Sequence, residues 1–216
     1  MQNKKGKLVV ISGFSGAGKG TTVKYLIDHF DNYALSISAT SRNKRPGEED
    51  GTHYFFISKS EFEELISNDD LLEYTKYSDN YYGTPKGFVD EKLKSGQNVL
   101  LEIEINGAMN VKAKFNEAIL IFLTAPSYED LISRLKNRNT ETDEQIKSRL
   151  KIALNEASGA SRYDYVIINH DVGESASIIN DIISDNVDTI NKVNSDRKKV
   201  LDIIDEIKDS IEKFVK

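Results

Sequence analysis

Cysteine is absent from the 216 residues, and there are only three prolines. Without cysteine there is no disulfide, no thiolate metal site and no cysteine nucleophile. A secreted scaffold stapled by bridges is therefore excluded, and a reducing, cytoplasmic setting fits. No apolar run approaches the ~20 residues that span a bilayer, and the opening MQNKKGKLVVISG meets glycine too early for a signal peptide. No membrane partner is expected. Positive charge is also short. Lys plus Arg number 29 against 35 Asp plus Glu, a net charge of −6, so the chain does not coat nucleic acid through bulk charge. Arginine, the side chain that grips a phosphate bidentately, occurs only seven times, at positions 42, 45, 134, 138, 149, 162 and 197. Two of these lie three apart, and three more fall between residues 134 and 149.

At this length one or two domains with a sizeable core are expected. Leu8–Ser12 is a short apolar, β-branched run ending at Gly13 and reads as a buried strand. A glycine-rich turn follows, and Thr21–Phe30 has helical apolar spacing. Further strands are expected at Val99–Ile103, Ile119–Leu123 and Tyr165–Ile168, with helices at Thr84–Lys94, Ala108–Phe115, Tyr128–Arg138 and Glu144–Ala157. This alternation implies right-handed βαβ crossovers, hence an α/β fold around a parallel sheet. Residues 35–82 break the pattern. They are rich in Ser, Tyr and charge, with strand-like pieces at Leu35–Ser38, His53–Ile57 and Leu71–Tyr77 and a helix near Glu61–Ile66. Ser58 with Glu61, and Ser60 with Glu63, have capping-box spacing for that helix. The stretch reads as an insertion with its own small sheet. Residues 137–143 are polar and aperiodic, as in a loop between helices. The last thirty residues form an amphipathic helix, with Val193, Val200, Ile207 and Phe214 recurring every seven and Arg197 interrupting a second seam of Ile190, Ile204 and Ile211. It either docks on its own domain or makes a short coiled-coil dimer contact, so a monomer and a homodimer both stay open.

The sharpest local signal is Gly13-Phe-Ser-Gly16-Ala-Gly18-Lys19-Gly20-Thr21. It fits G-x-x-x-x-G-K between a strand and a helix, the P-loop context. Glycines let backbone N–H groups converge on phosphate oxygens, the helix N-terminus adds partial positive charge, and the lysine reaches the β- and γ-phosphates. Gly20 stands in the usual Ser/Thr slot and Thr21 follows. Magnesium is therefore expected through Thr21 or through water on the nucleotide. The second signal is Thr40–Ile57, where Arg42 and Arg45 precede a glycine turn at Gly51 and a strand bearing Tyr54. Two guanidinium forks and a phenol suit a second, separate phosphate. A P-loop with a second phosphate clamp suggests transfer between two phosphorylated ligands. Leu100–Glu104 is an apolar strand ending in Glu102 and Glu104, which point the same way; Glu102 reads either as a magnesium ligand or as a helix cap. His29 and His53 have no metal-ligand spacing, and His170, a lone histidine beside a strand end, reads as structural.

These two segments closely resemble the guanylate kinases, over about Lys7 to Asp185. The resemblance implies a P-loop NTPase fold with a parallel sheet core, a small mixed α/β nucleotide-monophosphate insertion and a helical lid. The core would span about 1–34, 94–133 and 151–189, the insertion about 35–93, the lid about 134–150 and a helical extension 190–216. It implies transfer of the γ-phosphate of ATP, carried with Mg²⁺, to GMP and dGMP in purine metabolism. ATP and GMP would bind at opposite ends of a cleft that closes around them. The ATP site would comprise Gly13, Ser15, Gly16, Ala17, Gly18, Lys19, Gly20, Thr21 and, at the adenine edge, Asn169. The GMP phosphate would meet Arg42, Arg45, Tyr54 and Tyr82, and the guanine Ser38, Glu73, Thr84 and Glu104. A carboxylate at Glu73 can accept from guanine N1–H and its 2-amino group, and hydroxyls at Ser38 and Thr84 can donate to O6. Catalysis would rest on Lys19, Arg42 and the lid arginines Arg134, Arg138 and Arg149, with Asn139 in a slot that is usually glycine.

Overall fold

A computed structural model describes residues 5–77, 79–136 and 143–215. In chain order the elements are β1 (Leu8–Gly13), α1 (Lys19–His29), β2 (Tyr33–Leu35), β3 (Ala39–Thr40), β4 (Phe55–Phe56), α2 (Lys59–Ser67), β5 (Leu71–Tyr77), β6 (Asn80–Pro85) and α3 (Lys86–Lys94). They continue as β7 (Asn98–Glu102), α4 (Ile105–Lys114), β8 (Ile119–Thr124), α5 (Tyr128–Lys136), α6 (Asp143–Gly159), a 3-10 turn at Ala160–Arg162, β9 (Tyr165–Ile168), α7 (Val172–Ile183) and α8 (Val187–Val215). The chain divides into two compact units.

One unit comprises Val9–Asp31, Glu102–Ile105 and the chain from Ile119 onward. Here β1, β8 and β9 run parallel, with Val9 opposite Ile119 and Gly13 opposite Leu123, then Ile121 opposite Tyr165 and Thr124 opposite Ile168. All six residues of β1 are buried, as a strand covered on both faces requires. The C-terminal helix α8 is docked. It packs on α5, α6, α7 and β9, burying Val200, Ile204, Ile207 and Ile211, while Phe214 is 41% exposed. Arg197, which interrupts the seam, donates to the carbonyls of Ser161, Tyr163 and Asp164, each at 2.9 Å. It satisfies carbonyls that the 3-10 turn leaves unpaired.

The other unit comprises the residues through Leu8, Asn32–Leu101 and Asn106–Ala118. In it β2 runs parallel to β7, and a separate sheet has the order β4-β3-β6-β5. Ala39, Phe62 and Leu71 form that sheet's small core. The capping box of α2 is present at Ser58 and Glu61. Several boundaries differ from expectation. Leu35–Ser38 is not one strand: Ser36 N–H still reaches the Leu100 carbonyl, and the chain joins the other sheet only at Ala39. His53 is held in a turn by its N–H bond to the Glu49 carbonyl, so β4 is confined to Phe55–Phe56. Thr84 and Pro85 end β6, a strand hidden by its glycine and proline, and α3 therefore starts at Lys86.

Ile204→Ala is expected to lower the unfolding free energy by about 3 kcal/mol, as for other buried aliphatic truncations. Val187→Ala, at 65% exposure, should stay within about 0.5 kcal/mol. Urea unfolding midpoints check this, and equal small effects would mean that α8 is not packed.

Candidate active site

In the unit built on β1, the chain leaves the sheet through Gly13 and turns into α1 at Gly18. Gly18 has φ +90°, a conformation that side chains rarely adopt, and the space beside it is filled by the Asn169 amide. The first turn of α1 carries neither an acid nor a capping side chain, so its N–H groups and dipole are left to an anion. Lys19 Nζ folds back to donate to the carbonyls of Gly13 at 2.6 Å and Phe14 at 3.2 Å. Phe14 and Ala17 are fully buried and pin the loop from inside.

Other elements hold the rest of the loop. Asn169, 2% exposed, donates from Nδ2 to the Ala17 carbonyl at 2.7 Å and to Thr22 Oγ1 at 3.4 Å, and accepts from Ser175 Oγ at 3.0 Å. Both amide donors of the residue expected at the adenine edge are thus used inside the protein. Its carbonyl accepts from Arg134 Nη2 at 2.9 Å. Arg149 Nη1 donates to Ser15 Oγ at 3.3 Å, and Glu156 of the same helix is buried, which pushes its carboxyl up to about 7. Arg138 and Asn139 lie outside the described residues.

In the other unit, Arg42 is gripped end-on by Glu48, with Nη1 and Nη2 each 2.7 Å from a carboxylate oxygen. Nη1 also donates to the Asn43 carbonyl. The guanidinium lies over the rings of Tyr54 and Phe56, 5.3 and 5.5 Å from their centroids. Tyr54 and Tyr82 meet edge to face at 6.1 Å. Glu48 also accepts from the Arg45 N–H at 2.7 Å, while the Arg45 side chain is exposed. The Arg42 bond, reinforced by that N–H, holds the Glu48 carboxyl down to about 2. Burial pushes the Tyr54 phenol up. Arg42, Tyr54 and Tyr82 therefore come together as expected from an anion clamp. Glu73 and Thr84 are both buried and bonded, Thr84 Oγ1 donating to Glu73 Oε1 at 2.8 Å. The single Thr84 proton is directed at Glu73 in this arrangement, which orients the carboxylate. Ser38 is half-buried beside β3, its carbonyl accepting from the Phe55 N–H. Glu104 belongs to the unit that carries the P-loop and is exposed.

The family model described as guanylate kinase matches residues 5–186. The chain belongs to the guanylate kinase family. It is 51% identical to the guanylate kinase of Caldanaerobacter subterraneus over 83% of this chain and 87% of that one. Against the guanylate kinase of Clostridioides difficile the identity is 50% over 84% and 88%, and against that of Oceanobacillus iheyensis 44% over 94% and 98%. The crystal structure of guanylate kinase from Anaplasma phagocytophilum superposes with a TM-score of 0.67 at 31% identity, covering 86% of this chain and 88% of that one.

As a guanylate kinase, the chain departs from the usual P-loop at Gly20. A Cβ there would stand 3.4 Å from Glu102 Oε2, so the slot that usually carries a hydroxyl faces a carboxylate. Glu102 and Thr21 are both exposed, and no cluster of three or more His, Cys, Asp or Glu occurs among the described residues. One carboxylate beside a phosphate cradle fits magnesium that arrives on a nucleotide and keeps most of its waters. Two residues escaped the sequence reading. Glu48 could have been suspected as an acid close to two arginines in a turn. Glu156 carried no signal, since a carboxylate on an amphipathic helix normally faces solvent.

The Glu48 carboxyl is depressed in the folded state, so the stability it contributes is present above the unfolded value near 4.5 and lost as pH falls through about 2. A carboxyl-carbon NMR titration should place its midpoint near the bottom of the range, and Arg42→Ala should return it toward 4.5. A midpoint unchanged by that substitution would show that the pair does not persist in solution.

Proposed function

We propose that this protein transfers the γ-phosphate of ATP to GMP, giving ADP and GDP. The observation that carries the reading is the pairing, within one guanylate kinase sequence, of a P-loop in one unit with an arginine–tyrosine anion clamp and a buried Glu73–Thr84 pair in the other. ATP's phosphates would lie on the N–H groups of Gly16–Thr21, with Lys19 turning from the loop carbonyls to the β- and γ-oxygens. Glu102, with Thr21 beside it, would hold Mg²⁺, which neutralises charge on those oxygens. The GMP phosphate would take the remaining edge of the Arg42 guanidinium, Arg45, and the hydroxyls of Tyr54 and Tyr82.

Guanine would be recognised by Glu73, with Ser38 donating to O6. Adenine offers the wrong donor at O6's position and nothing at N1 for a carboxylate, and unpaired buried groups make that mismatch costly. Arg134, Arg138 and Arg149 would neutralise the transferring phosphoryl group. No general base is needed, because the acceptor oxygen is already anionic. Acceptance of dGMP belongs to the same proposal, since none of these residues is assigned to the 2′-hydroxyl. So do a cytoplasmic location, where ATP is at hand, and a place in purine nucleotide metabolism.

A coupled ADP-release assay with GMP, dGMP, AMP, CMP and UMP tests the reading. GMP and dGMP should turn over and the others should not. Lys19→Ala should cut kcat by about a hundredfold or more, and Arg42→Ala should raise the GMP KM by about tenfold or more, as for a lost charged hydrogen bond. Turnover with another acceptor would overturn the guanine assignment, and no GMP-dependent ADP release would overturn the reaction.

A further inference from the structure

Helix α7 buries a face made of Ala176, Ile179, Ile182 and Ile183, and Ser175 is buried with them at 1% exposure. On α1, which packs against α7, Thr22 is fully buried beside Val23 and Leu26. A hydroxyl on a buried helix face is unfavourable unless it is bonded. Both of these are bonded, through one amide. Ser175 Oγ donates to Asn169 Oδ1 at 3.0 Å. Asn169 Nδ2 donates to the Ala17 carbonyl at 2.7 Å and to Thr22 Oγ1 at 3.4 Å. Thr22 Oγ1 donates onward to the Gly18 carbonyl at 3.0 Å. The sense of the amide follows from its partners. The Ala17 carbonyl can only accept, so the atom facing it is the nitrogen, and the oxygen is left to Ser175. A Cβ at Gly18 would lie 2.5 Å from Asn169 Nδ2, so the amide fits only beside a glycine.

We propose that Ser175 is a positioning residue of the P-loop, acting through Asn169 on the peptide groups that meet the phosphates of ATP. The inference rests on ATP occupying the P-loop. In a trans peptide the C=O of one residue and the N–H of the next point in opposite directions. Holding the Ala17 and Gly18 carbonyls from behind therefore aims the N–H groups of Gly18 and Lys19 away from that support, where an anion can meet them. An asparagine amide turns easily about its terminal torsion. Without the Ser175 hydroxyl, Oδ1 is buried and loses its donor, which favours turning the amide away from Ala17. Ser175 is itself fixed by its helix. Asp171 caps α7 by accepting from the Glu174 N–H at 2.9 Å, and a Cβ at Gly173 would lie 3.2 Å from Tyr25 Oη of α1. The first turn of α7 is thus held against the helix that the P-loop opens.

Calorimetric ATP binding, with GMP omitted, tests this. Ser175→Ala should weaken ATP about tenfold, as for a buried acceptor that loses its donor. Its GMP KM at saturating ATP should match that of the parent. Thr22→Val keeps the side-chain shape and removes the acceptor of the longer amide bond, so it should weaken ATP by about threefold. Ile179→Val, on the same buried face of α7, leaves the chain of bonds intact and opens a small cavity. It should lower the urea midpoint and leave the ATP dissociation constant unchanged. Unchanged ATP affinity in Ser175→Ala, or in Thr22→Val should the first not fold, overturns the proposal. Equal weakening in Ile179→Val also overturns it, because the loss is then one of packing. Either result leaves the P-loop assignment intact. Absence of ATP binding in the parent overturns both.

Discussion

A loop that offers its backbone N–H groups to a polyanion cannot also be held by side chains of its own on that surface, so it has to be held from behind. Gly13–Gly18 meets this constraint through neighbours. Asn169 supports the Ala17 carbonyl and occupies the space that a Gly18 side chain would need. Arg149 donates to the Ser15 hydroxyl. Lys19 bonds to the carbonyls of Gly13 and Phe14. None of these bonds uses a backbone N–H of the first turn of α1, whose N-terminus carries no capping side chain. The parallel strands β1, β8 and β9 matter because they deliver Gly13, Thr124 and Asn169 at or just past the ends of adjacent strands.

The same logic governs the acceptor side. A net charge of −6 supplies no general attraction for a phosphate, so positive charge has to be concentrated and kept concentrated. Arg42 is not a loose cation awaiting an anion. Its end-on edge is occupied by Glu48 and its plane is stacked over two rings. A guanidinium has a second bidentate edge, through Nε and Nη2, and that edge is what the clamp can present. Holding the side chain this way removes the rotamer entropy that an unrestrained arginine loses on binding. The carboxylate costs some net charge and returns orientation.

Much of this was legible because it follows from short-range pattern. A continuous apolar run before Gly13 gave β1, the periodic spacing gave α1, and Ser58 with Glu61 gave the cap of α2. The seven-residue recurrence of α8 marks an apolar seam and leaves docking and dimerisation open; the structure docks it, and Arg197, which interrupts the seam, is a carbonyl clasp. What was hidden depends on pairing at a distance. β6 reads as a turn until β5 is placed beside it. Thr84 reads as a free donor until Glu73, eleven residues away, takes its proton. Asn169 reads as an adenine-edge residue from its place in the motif, while its inward partners Ala17, Thr22 and Ser175 lie elsewhere in the chain.

Glu156 is the extreme case, because sequence logic argues against it. Amphipathic periodicity puts carboxylates on the solvated face, and a chain rich in acids gives no reason to single one out. At Gly159 of the same helix a Cβ would collide with the Ile105 side chain, so the missing side chain lets α6 pack close to the start of α4. Glu156 is buried on that helix, and desolvation pushes its carboxyl up to about 7. Periodicity along α6 cannot reveal this, because the burial comes from packing against parts of the chain that lie far away in the sequence.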